Sequence, residues 1–262
     1  MARSALALAL ILVIPGPLFA QHAHDHAIGA ASTQPARSVP ATNPAAAHDW
    51  KKEAMERHMA YTSSRPLTAA DSARATQVIH ELRQAVVRYQ DVRVAEADGY
   101  EMFAPQMKNQ PQYHFTRNWN AVRNQFGFDP ARPTSLLYKR NERGDLVLTG
   151  AMYTASKRTP EEELDKRVPL SVARWHRHIN WCVPTRSQKD RWYEVKDGRP
   201  VFGPLGVSTE KECKAAEGRF IPQAFGWMVH ANVFAGNDLR SIWHDDHMEH
   251  DHDAMLGTPR SP

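Results

Sequence analysis

The sequence predicts an α+β fold, one long N-terminal helix packed on a mostly antiparallel sheet with extensive loops. Three observations predict it. Apolar residues recur at helical spacing between about Ala69 and Ala97. Several short runs rich in β-branched and aromatic residues follow, separated by turn residues. Between the two lies a stretch to about Pro133 dominated by Pro, Asn, Gln and aromatics, which reads as loops.

The amino terminus comes first. Met1-Ala2-Arg3 is basic, Ser4 to Ile14 is almost unbroken apolar, Pro15-Gly16-Pro17 breaks the run, and Ala20 offers a small residue for cleavage. That pattern predicts a signal peptide over 1–20 and export to the periplasm or beyond. The run is too short to span a bilayer, which takes about 20 apolar residues. No later segment is long and apolar enough, so no integral span is expected in the mature chain. Residues 21–47 are His, Ala, Ser, Thr and Pro with few large apolar groups. Such a segment cannot bury enough surface to offset its ordering entropy, and a disordered tail is expected. A single domain is expected over 48–243, followed by a second disordered, His- and Asp-rich tail over 244–262.

Within the domain, Asp49 to Ala60 has the pattern of a short amphipathic helix. Thr68 and Asp71 form a capping pair for the long helix, and Gly99 sits where it would stop. Its stripe is Ala75, Val78, Ile79, Leu82, Val86, Tyr89 and Val92, with His80 on the solvent face. Thr134–Arg140 and Leu146–Tyr153 read as strands joined by an Asn141–Gly144 turn. Pro160 to Leu164 reads as a helical turn and Leu170–Val183 as a strand. Asp197-Gly198 is a hairpin signal between two short runs. Thr209 and Glu212 cap a short helix carrying Cys213, and Trp227–Phe234 is a last strand.

The formal charge is +4 and its basic residues are interspersed with acids, so nucleic acid is not an expected partner. The two cysteines, Cys182 and Cys213, are expected to pair in an oxidising compartment. Closing that loop contributes about 3–4 kcal/mol in the chain-entropy model.

The chemistry concentrates in histidines. In Val172–Cys182, strand alternation puts Ala173, Trp175, Ile179 and Trp181 on one face. Arg174, His176, His178, Asn180 and Cys182 share the other. Two imidazoles at i and i+2 on a strand can converge on one ion, and imidazole suits Zn, Cu, Fe and Ni. Trp227-Met-Val-His230-Ala-Asn232 repeats the Trp-x-x-His-x-Asn spacing of Trp175 to Asn180. It adds His230, with Met228 as a soft thioether beside it. His114, in the aromatic loop region, is the fourth core candidate. The tails carry His22, His24 and His26, and His244, His247, His250 and His252. Short tracts of this kind gather divalent metals without a preformed fold. The alternative for each histidine is an ordinary structural or solvated side chain.

No Gly-x-Ser-x-Gly elbow, Gly-rich phosphate loop, Cys-x-x-Cys, haem-attachment Cys-x-x-Cys-His or His-Glu-x-x-His occurs. The strand His-x-His of cupins continues to a Glu that Ile179–Val183 does not supply. Arg167 to His176 (RVPLSVARWH) and Phe225 to Phe234 (FGWMVHANVF) resemble segments of a family of exported bacterial proteins of uncharacterised function. The resemblance covers about Ala97 to Trp243. It implies an exported, self-contained domain and lends no catalytic residue. The expectation is therefore a periplasmic transition-metal-binding protein, copper or zinc, rather than an enzyme. A metal-dependent enzyme using three histidines, and a structural envelope protein without physiological metal, are the alternatives.

Overall fold

Thr68 and Asp71 start the main helix as their spacing predicts. In the computed structural model, which describes residues 44–105 and 110–243, the Asp71 amide donates to Thr68 Oγ1 (3.2 Å). The Thr68 amide in turn donates to Asp71 Oδ2 (2.9 Å). Chain order is α1 (Pro44–His58), β1 (Met59–Tyr61), α2 (Ala69–Val86), α3 (Val92–Ala97), β2 (Glu101–Met102), β3 (Tyr113–Thr116) and α4 (Asn118–Arg123). Then come β4 (Ser135–Arg140), β5 (Leu146–Ala155), α5 (Glu161–Arg167), β6 (His176–Val183), β7 (Val195–Lys196) and β8 (Arg199–Pro200). Last are α6 (Glu210–Ala215), β9 (Arg219–Gln223), β10 (Trp227–Ala231) and α7 (Leu239–Ile242). The proposed signal peptide, residues 21–43 of the first tail and the second tail lie outside the described residues, while residues 44–47, expected to belong to the first tail, open α1. Among the described residues, no helix is long and apolar enough to cross a membrane.

The long helix is divided rather than continuous. After Val86 the backbone tightens into a 3₁₀ turn (Val87–Gln90), and Asp91 starts α3 as its N-cap, accepting from the Arg93 amide (3.0 Å). The apolar stripe survives the break, because Ala75, Val78, Ile79, Leu82, Val86 and Tyr89 are all buried in the main core. They pack with Phe115, Leu136, Tyr138, Ala151, Tyr153, Trp175, Trp227 and Val229, which define one face of the sheet. At the helix start, Arg65 bonds both Asp71 (2.6 Å) and Asp165 (2.8 Å), and Ser171 donates to Asp71 (2.9 Å). The guanidinium holds the Asp71 carboxyl well below the usual carboxylate range. These bonds tie α2 to α5 and to the segment entering β6.

The sheet runs β1-β6-β10-β5-β4-β3-β2, with β9 also paired to β6, and every pairing is antiparallel. Two corrections follow. Residues 170–175 are turn and coil, so the strand begins at His176, and β10 ends at Ala231. The region read as loop holds β2, β3 and α4. The β7–β8 hairpin turns at Asp197 (φ 51°) and Gly198 (φ 73°), both positive as a two-residue type I′ loop requires. Cys182 and Cys213 form the expected disulfide, joining β6 to α6. Thr209 caps α6 by accepting from the Glu212 amide (3.2 Å).

Candidate functional site

The sheet face turned away from α2 carries the histidines. His176 opens β6, paired with Tyr61 on one side and Met228 on the other. His230 on β10 pairs with Met152 on β5, and His114 pairs with Leu137 on β4. The central floor of this face is a small apolar cluster of Leu137, Met152 and Met228. His114 is therefore a strand residue of β3 and not a loop residue, a difference made by its pairing with β4.

Strand order, rather than sequence proximity, brings the rings together. Ring centroids lie 5.0 Å apart for His176–His230, 5.8 Å for His114–His230 and 5.8 Å for His176–His178. The four form a chain in which His230 and His176 are the inner members. His176 and His230 are buried, while His114 and His178 are half-buried when the whole residue is counted, the His114 imidazole being the desolvated part. Close approach of β10 to β5 is permitted by Gly150 and Gly226. A Cβ at Gly150 would run into the Ala231 carbonyl oxygen, and one at Gly226 into that of Ala155.

The simple alternation of β6 fails at Asn180, whose φ of 57° is left-handed, a conformation Asn tolerates better than most residues. Its Nδ2 donates to the Arg57 carbonyl (3.0 Å). The kink brings Trp181 to His178 (5.1 Å), not to the opposite face as alternation predicted. Phe225 stands 5.5 Å from Trp181 and 6.0 Å from His178, and Phe103 stands 6.2 Å from Phe225. An aromatic wall thus flanks the partly exposed end of the chain of imidazoles. Next to β6, His58 is fully buried, with Nε2 2.9 Å from the Gly206 carbonyl and Nδ1 3.2 Å from that of Ile179. It fixes the end of α1 against β6.

Burial pushes the His114 imidazole down to about 3. The neighbouring His230 and His176 add to the effect, and a hydrogen bond to the Gln112 backbone works against it. At neutral pH this ring is uncharged and its lone pair is available. Two imidazoles sharing one ion at an N–metal distance of about 2.0–2.1 Å have ring centres roughly 5 Å apart. The observed separations are of that size. Among the described residues, however, no three His, Cys, Asp or Glu side chains are already arranged as a ligand set for a metal ion. Binding would require the imidazoles to turn about χ1 and χ2.

Two clefts lie elsewhere. One of 710 Å³ is lined by Lys139, Phe234 and Arg240 among others, and one of 460 Å³ by Arg88, Arg117 and Trp119 among others. His80 is exposed on α2 beside Gln84, outside the cluster. His22, His24, His26, His244, His247, His250 and His252 lie outside the described residues. Tyr61, whose ring is 6.0 Å from His176, and Met152 are neighbours that sequence reasoning missed. Alternation with the buried Tyr153 could have put Met152 on this face, but only strand order puts it opposite His230. Compared with models of protein families, with curated proteins and with solved structures, the chain matches none.

Proposed function

We propose that this is an exported transition-metal-binding protein whose folded site draws on His176, His230, His178 and His114. One observation carries the reading: four imidazoles from three strands stand in a chain of ring contacts 5.0–5.8 Å apart on one sheet face, with the inner pair buried. Concentrating imidazoles in a desolvated place is costly unless they serve as ligands or find other partners. His114 is uncharged at neutral pH, so a metal has no proton to displace there. Copper or zinc fits the donor set, and the thioethers of Met228 and Met152 beside the inner pair favour copper. Export is supported by the signal-like amino terminus and by the Cys182–Cys213 disulfide. The His-rich tails would then collect or buffer metal, and the resemblance to an exported bacterial family is consistent with the same setting.

The test is metal content after dialysis, with copper, zinc, nickel and iron offered separately, read beside a thermal melt. The intact chain should retain metal. His176→Ala with His230→Ala should remove one tightly held equivalent and the metal-dependent rise in Tm, while leaving weaker tail binding. If the double variant keeps the same tight stoichiometry and the same thermal shift, the strand site is wrong and the tails alone bind.

A further inference from the structure

Helix α4 is amphipathic in the wrong sense. Its inward residues are polar: Asn120 and Asn124 are each 3% exposed. Asn120 donates to the Pro133 carbonyl (2.8 Å) and to Tyr100 Oη (3.2 Å), and Asn124 donates to Thr134 Oγ1 (2.8 Å). Its outward residues are large and apolar. Trp119 is 62% exposed, Val122 48% and Phe126, in the turn that follows, 88%. At about 100° per residue, positions 119, 122 and 126 fall within about 60° of one another, opposite the asparagines. Solvent exposure of three such side chains along one stripe costs stability and marks a surface that meets something apolar.

The surroundings say what. Arg117 is the N-cap residue just before α4 and Arg123 its last residue, and among the described residues no carboxylate pairs with either. Arg88 and Arg132 stand nearby, each bonded to an aspartate, Asp98 (3.0 Å) and Asp129 (3.1 Å). The 460 Å³ cleft beside the stripe is lined by Arg88, Arg117, Arg132, Asp98, Tyr100 and Trp119. Arg88 and Arg132 are thus each balanced by an aspartate, and Arg117 adds an unbalanced guanidinium to the cleft that Trp119 also lines. We propose that α4 and its following turn seat the protein on an anionic phospholipid bilayer. Trp119, Val122 and Phe126 enter the boundary between headgroups and acyl chains, and the cleft takes a lipid phosphate. Apolar side chains flanked by arginines are the combination that holds a peripheral protein at such an interface. The exposed apolar area is roughly 400 Å² for side chains of this size. It suffices for shallow insertion assisted by charge.

The experiment places a reporter on the stripe. The sequence has two cysteines, both in the disulfide, so Phe126→Cys in the full chain gives a single thiol for an environment-sensitive fluorophore. Vesicles of phosphatidylglycerol with phosphatidylcholine should shift its emission to the blue. Phosphatidylcholine alone should do so at least tenfold less well, and raised salt should weaken the effect. Arg117→Glu with Arg123→Glu should abolish the shift, and a fluorophore at Arg143→Cys, in the exposed β4–β5 turn, should not report it. Any of four results overturns the proposal: no shift with anionic vesicles, an equal shift with neutral ones, the same shift at position 143, or a shift that grows with protein concentration without lipid. The last would assign the stripe to a second copy of the chain. Position 126 reads the stripe directly, so adsorption through the amino-terminal apolar run does not mimic the result.

Discussion

Removing the titration of His114 should flatten the acid sensitivity of the metal-free fold, and the size of the effect follows from its surroundings. In the folded protein the imidazole is pushed down to about 3, mainly by burial and then by His230 and His176, whereas an unfolded chain takes up the proton near the ordinary 6.5. Between those values the unfolded state binds the extra proton. The folded state is therefore favoured above about pH 6.5 and loses ground as pH falls toward 3, by about 1.4 kcal/mol per pH unit at the steepest. From pH 7.5 to pH 5 the loss attributable to this one ring is about 2 kcal/mol. His114→Gln keeps a side chain of similar reach that can still bond the Gln112 backbone, but it does not titrate. The assay is urea unfolding of chelator-treated protein at pH 7.5, 6.5, 5.5 and 5.0, wild type beside variant. The wild type should lose about 2 kcal/mol more than the variant over that range, with equal slopes against urea. Parallel pH profiles would refute the reasoning, because a ring that titrates alike in both states cannot be buried among other imidazoles.

Two further predictions concern what holds the histidine strands in place. Replacing both Cys182 and Cys213 by Ser opens a loop of sequence separation 31, and the chain-entropy model puts the loss at about 4 kcal/mol, read as a lower urea midpoint under oxidising conditions. An unchanged midpoint would mean that the bridge adds nothing to the fold. Gly150→Ala should cost about 1–3 kcal/mol, since the new methyl meets the Ala231 carbonyl and must push β10 from β5. Because β10 carries His230, the same variant should weaken metal retention while leaving near-native far-UV circular dichroism. Full retention of metal would separate the β5–β10 spacing from the site.

The features legible in the sequence were those set within a few residues. The Thr68–Asp71 cap, the Ala75 to Tyr89 stripe and the Asp197-Gly198 turn each depend on neighbours along the chain, so spacing and residue type sufficed. The disulfide was legible for a different reason: two cysteines leave only one intramolecular partner each. Contacts between strands distant in the chain were not legible. That His114 lies beside His230 follows from the order β10-β5-β4-β3, an arrangement that local propensities leave open. The kink at Asn180, which moves Trp181 to the side of His178, arises where β6 leaves β1 and joins β9, so no rule of alternation could foresee it. Helix α4 went unread because its apolar residues face outward and its asparagines find Pro133, Tyr100 and Thr134 only once the chain has folded. Residue types by themselves determined the α+β class, the paired cysteines and the supply of imidazoles. Strand order, a nonlocal matter of which hydrophobic faces bury against which, decided that four of those imidazoles would meet.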